Sequence, residues 1–176
     1  MALSSPHSAG LFLGAVLMVG CSDASGPAPG TFRAQLTGAR LTALSGTSNA
    51  SAITTEELPD WLFAIRMFDE QGDTVRFISI GCLGQEPPAP GTYAIDTAVN
   101  LSDPDCLGSY SRAVSTLEAG LIFLEGASAA SGRVTISAST PDRIEGTFNF
   151  SGMLVVGSDS AGTVAASGAF SAAVGP

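Results

Sequence analysis

The 176-residue chain contains no lysine and one histidine, His7, which lies within its first ten residues. Beyond position 20 there is no imidazole to act as general base or metal ligand. That excludes a Ser-His-Asp triad, a Cys-His dyad and a histidine-ligated zinc site from the body of the chain. The missing lysine removes the usual amine substitute for that base. Charge is scarce: 13% of residues are charged, against 45% hydrophobic, which is too apolar for disorder and too sparsely charged for a coiled coil. All positive side-chain charge comes from seven arginines, set against sixteen acids for a net charge of -9. Such a surface repels polyanions, so no nucleic-acid partner is expected. A membrane-spanning run is also missing. The main apolar run, Leu11 to Gly20, falls short of the roughly 20 residues that cross a bilayer.

That run has the length of a signal-peptide core. Its end, Leu17-Met18-Val19-Gly20-Cys21, resembles the lipobox of bacterial lipoproteins, in which a small residue precedes the cysteine. The resemblance implies alkylation of the Cys21 thiol by a diacylglyceryl group and cleavage before Cys21. Sulfur is the nucleophile in that chemistry, so serine would not serve. Residues 1–20 are therefore expected to be removed and Cys21 to carry lipid, with Ser22 favouring export to an outer membrane where one exists. Two departures from the motif are visible: Met18 stands where leucine is usual, and residues 1–10 carry no Lys or Arg. Two or three acyl chains make such anchoring stable. Residues 21–30 (Ser22-Asp23-Ala24-Ser25-Gly26-Pro27-Ala28-Pro29-Gly30 after the cysteine) read as a flexible spacer, with a reach of roughly 15–20 Å by random-coil scaling.

Residues 31–176 form the expected folded domain. Twenty-one glycines and ten prolines suit short strands and many turns. Phe32, Ala34 and Leu36 alternate with polar neighbours as a half-buried strand does. The run Trp61 to Phe68 is apolar on both faces and reads as a central strand. It turns through Asp69-Glu70-Gln71-Gly72-Asp73 into Thr74 to Ile80 as a hairpin. Further strands are expected at Gly91–Ile95, Ser111–Leu117, Leu121–Leu124, Arg133–Ser139, Ile144–Phe150 and Val164–Phe170. Met153–Val156 either extends the Ile144 strand or stands alone. The only helical candidate is the Thr54–Leu58 region, one turn at most before Pro59. The fold class is all-β: a single antiparallel sandwich or barrel-like domain of about nine or ten strands.

Gly132-Arg133-Val134-Thr135-Ile136-Ser137, followed by Arg143-Ile144-Glu145-Gly146-Thr147-Phe148-Asn149-Phe150, is similar to a hairpin of uncharacterised bacterial lipoproteins (G-x-V-x-I, then I-x-G-T-F-x-F). The Gly91-Thr92-Tyr93 and Gly168-Ala169-Phe170 segments match that pattern too. The resemblance covers about half the domain. It implies a lipid-anchored β-domain and carries over no activity.

With Cys21 assigned to lipid, Cys82 and Cys106 are left to pair as a disulfide in an oxidising compartment. No catalytic residue, cofactor or metal is assigned. The densest oxygen-donor loops place Asp69 and Asp73, and Asp103 and Asp105, as weak Ca²⁺ candidates, without EF-hand spacing. Aromatic side chains at alternating strand positions are read as core. The expected function is a non-enzymatic binding or structural domain, tethered to the envelope membrane by its lipid, with its protein or small-molecule partner open. Two alternatives carry their own structural requirements. A barrel-type carrier of a small apolar ligand needs an empty interior. A carboxylate-based glycan-acting enzyme needs two facing acids with raised pKa values.

Overall fold

A computed structural model describes residues 26–55, 58–84, 86–96 and 106–175, and among them there is no helix. The signal segment, Cys21, the spacer up to Ser25, Asp103 and Asp105 lie outside the described residues. Nine strands follow one another: β1 (Thr31–Gly38), β2 (Thr42–Thr55), β3 (Leu58–Gln71), β4 (Thr74–Leu83), β5 (Gly91–Asp96), β6 (Cys106–Thr116), β7 (Gly120–Thr140), β8 (Arg143–Val156) and β9 (Asp159–Val174). They form a single sheet in the order β1-β2-β3-β4-β6-β5-β7-β8-β9, and β9 pairs with β1 to close it. Because β6 also pairs directly with β7, the ring is an eight-strand meander with β5 wedged between β6 and β7 at one end. Among the described residues, closure leaves no long unpaired edge to template association with another chain.

Alternation decides which way each side chain points. Along β8, Ile144, Gly146, Phe148, Phe150, Gly152 and Leu154 are buried while the residues between them are exposed or half-buried. A ring of about eight strands leaves an interior that side chains can fill. Here Phe32, Phe148, Phe150 and Phe170 fill it together with Met67, Tyr110 and a set of isoleucines. Phe148 stacks on Phe150 with ring centroids 6.0 Å apart, and lies 6.5 Å from Phe170. Gly168, the Cα partner of both Phe148 and Ala34, lets β9 approach β1 closely beside that stack. A Cβ at Gly168 would strike the Arg33 carbonyl oxygen and stand 2.9 Å from Ala34 Cα. Both obstacles are backbone. Gly168→Val is therefore expected to destabilise the domain by about 1–3 kcal/mol through overpacking. Gly175→Ala, with nothing within 4 Å of its Cβ, should leave the urea midpoint unchanged.

Several strands differ from their sequence signatures. The helical candidate Thr54–Leu58 lies partly outside the described residues; Thr54 and Thr55 end β2 and Leu58 opens β3. Leu121–Leu124 and Arg133–Ser139 belong to one 21-residue strand, β7, which absorbs irregularities opposite Arg112/Ala113 and at Ala129/Ser131 and Ile136/Ala138. Met153–Val156 extends β8. The strand β2 has a weak sequence signature, because its inward positions are Leu44, Gly46, Ser48 and Ala50, only one of them large. The spacer's last residues are bound to the ring: Gly30 N–H donates to Ser171 O, and Ser48 N–H donates to Gly30 O.

The two ends of the ring differ. One, the mouth, carries the β1–β2, β3–β4, β6–β7 and β8–β9 turns. The other carries the entry of the chain at Gly30 and Thr31, the β7–β8 turn at Pro141 and Asp142, and the end of β9, where Val174 N–H donates to Asp142 O.

Candidate functional site

Inside the mouth, four charged residues stand in register across four neighbouring strands. Asp69 (β3) is the Cα partner of Arg76 (β4), Arg76 of Arg112 (β6), and Arg112 of Glu125 (β7). Each shares the inward face with the core residues of its own strand, as Arg76 does with Ile78 and Ile80. The row therefore reads minus, plus, plus, minus at the wall of the mouth. Arg76 Nη1 lies 3.1 Å from Asp69 Oδ2, and Arg112 Nε lies 3.2 Å from Glu125 Oε1. Gln71 Nε2 is 3.5 Å from Asp69 Oδ1.

Glu125 is the hub. Tyr110 O–H donates to its Oε1 at 2.9 Å, and Arg40, reaching over from the β1–β2 turn, donates to Oε2 through Nε at 2.9 Å and through Nη2. The Glu125 side chain is 1% exposed, while those of Arg40 and Arg112 are 40% and 31% exposed. Burial pushes the Glu125 carboxyl up. Hydrogen bonds from Arg40 and Tyr110 and the charges of the two guanidinium groups outweigh it, and hold the carboxyl below its ordinary 4.5. Burial, then the hydrogen bond to Glu125, raise the Tyr110 phenol, against a lowering by Arg76 and Arg112. The hydrogen bond and charge of Glu125 raise the Arg40 guanidinium.

Three arginines thus share two carboxylates within one mouth. Asp73, Glu118 and Asp159 sit exposed on the turns around it. No motif or spacing marks Arg40, Arg76, Arg112, Tyr110 or Glu125 as a group. The available signal is a charged residue at core parity near a strand end, as Arg76 is two residues before Ile78 and Glu125 two before Ala127.

The residues that the sequence singles out fall elsewhere or apart. Asp69 turns inward onto Arg76, while Asp73 is exposed on the β3–β4 turn and its carbonyl accepts from Ser115 N–H. Among the described residues, no group of three or more His, Cys, Asp or Glu side chains converges to hold a metal ion. Among those residues Asp69 and Glu125 are the two buried acids, and each is held by guanidinium. Cys82 and Cys106 are direct partners across β4 and β6, with Cα atoms 4.1 Å apart and their sulfurs at disulfide distance. Both are buried.

The aromatic residues divide between the two faces. Phe32, Phe148, Phe150 and Phe170 are core, but Phe68, Phe77 and Phe123 form an outer-face cluster, with centroids 6.3 Å and 5.8 Å apart in turn. Trp61 lies in β3, and its side chain is outside the described set. An open groove of about 370 Å³ runs over β3, β4 and β6, between Leu62 and Leu107 and above the small residues Ala64, Ser79 and Gly81. No family model, curated protein or solved structure matches the chain.

Proposed function

We propose that the chain is an exported, lipid-anchored β-domain of the cell envelope with a binding or structural role and no catalysis of its own. The segment Leu17-Met18-Val19-Gly20-Cys21 carries this reading, because it joins a lipobox-like end to an apolar run too short to span a bilayer. Three features of the structure support it. The chain enters the ring at Gly30, so a lipid on Cys21 would hold the ring by the end opposite the mouth and leave the mouth facing away from the membrane. The eight residues of β1 cover roughly 25 Å of strand between those ends. The interior is occupied by aromatic and branched side chains, which favours binding at the mouth or outer face over carriage of an apolar ligand inside. The Glu125 carboxyl is held low, the opposite of what a general acid needs.

Metabolic labelling with a fatty acid tests the anchor. The expected result is label on the wild-type chain and none on Cys21→Ser. An unlabelled wild-type chain, or label retained by Cys21→Ser, would overturn the reading.

A further inference from the structure

We propose that the mouth of the ring binds a small oxyanion of the phosphate class between Arg76, Arg112 and Arg40. The inference is independent of how the chain is held at the envelope. Arg76 and Arg112 are direct cross-strand partners, and like charges placed opposite each other repel. Each is held from its far side by a carboxylate, so nothing in the row lies between them to offset that repulsion. Glu125 alone serves both Arg112 and Arg40, so in the inner, ion-paired set three guanidinium groups share two carboxylates.

The donors are available. Arg112 meets Glu125 through Nε, Arg76 meets Asp69 through Nη1, and Arg40 uses Nε and Nη2. Among the described residues, the two terminal nitrogens of Arg112, Nη2 of Arg76 and Nη1 of Arg40 take no protein partner. The three side chains are 22–40% exposed, so a solute can reach them. Asp69, and Glu125 itself held by Tyr110, fix the guanidinium groups in place beforehand, which reduces the ordering cost of binding. Guanidinium groups carried at the same end of the ring by β4, β6 and the β1–β2 turn suit an anion with three or more acceptor oxygens better than a planar carboxylate with two. The exposed Asp73, Glu118 and Asp159 on the surrounding turns repel long polyanions, so the ligand is a single small group bound by contact.

The test is a titration of the full chain, purified in detergent, with inorganic phosphate at constant ionic strength, followed through the arginine Nε–Hε NMR signals. The expected result is saturable shifts at Arg76 and Arg112, with Arg133, exposed on the outer face, unmoved. Arg112→Gln should weaken phosphate binding at least tenfold. Arg112→Lys keeps a charge beside Glu125 but lacks the planar fork, so it should fold and still lose binding. Acetate should bind more weakly than phosphate. Linear, unsaturated shifts alike at all seven arginines would overturn the proposal. So would unchanged phosphate affinity in a folded Arg112 variant, or acetate binding as tight as phosphate.

Discussion

Glu125→Gln is expected to lower the free energy of unfolding by about 2–3 kcal/mol, read from urea denaturation at pH 7. Glutamine keeps the shape and one acceptor oxygen, so the change removes the charge and turns one acceptor into a donor facing Tyr110 and Arg112 or Arg40. Removing one partner of a buried ion pair costs about 3–5 kcal/mol when the other charge is left stranded in the interior. The guanidinium groups of Arg40 and Arg112 are 40% and 31% exposed, so water recovers part of that cost and the figure drops. Glu145→Gln is the matched control. Its pair with Arg143, 3.1 Å long, is 34% and 44% exposed on the two sides, so the expected loss is about 0–1 kcal/mol.

The same carboxyl makes the stability depend on acid pH. Its pKa in the fold lies below the ordinary 4.5, so its contribution is fully present above 4.5 and is lost as pH falls through the lower folded value. The stability gap between wild type and Glu125→Gln should therefore narrow below pH 4.5; a gap that stays constant to low pH would show that the charge does not carry the effect. Tyr110 acts at the other extreme. Its phenol is raised above 10.0, so its contribution holds below pH 10.0 and is lost as pH rises through the folded value.

Part of this architecture is legible in the sequence for a physical reason. Strands with large apolar residues every second position, such as β1 and β8, announce both their existence and their facing. The Cys82–Cys106 pair is legible once the lipobox-like segment is read as claiming Cys21, because two thiols then remain. In β2 the inward positions shrink to Gly46, Ser48 and Ala50, where β-pattern reading has nothing to count. The long strand β7 reads as two because its middle, Ser128 to Ser131, is small residues throughout. The mouth is illegible for a different reason. Asp69, Arg76, Arg112 and Glu125 are far apart in sequence, and only the register of β3, β4, β6 and β7 aligns them. Arg40 joins them from a turn whose side-chain direction no periodicity predicts. Charges at inward positions are visible one at a time, but their partnership depends on pairing.

Cys82→Ala together with Cys106→Ala is expected to destabilise the domain by about 3–4 kcal/mol, from the loop-closure entropy of a bridge between residues 24 apart in sequence. Alanine rather than serine avoids placing two unpaired hydroxyl groups at buried positions, which would add a separate penalty. The loss should also have a location. The bridge ties the end of β4 to the first residue of β6, and the intervening chain includes β5. That strand has a six-residue ladder with β7 and a single parallel contact with β6, Ile95 opposite Cys106. Most of the ring is held by longer ladders, such as the ten pairs of β3 with β4. Without the bridge, amide exchange should quicken most in Gly91–Asp96 and at Cys106–Gly108, while β8 and β9 lose only the protection that the global loss of stability removes. A uniform rise in exchange across all strands would mean that the bridge acts only on the unfolded chain. In the wild-type protein without reductant, neither Cys82 nor Cys106 should take an alkylating label, and two labels should appear once the bridge is reduced under denaturing conditions.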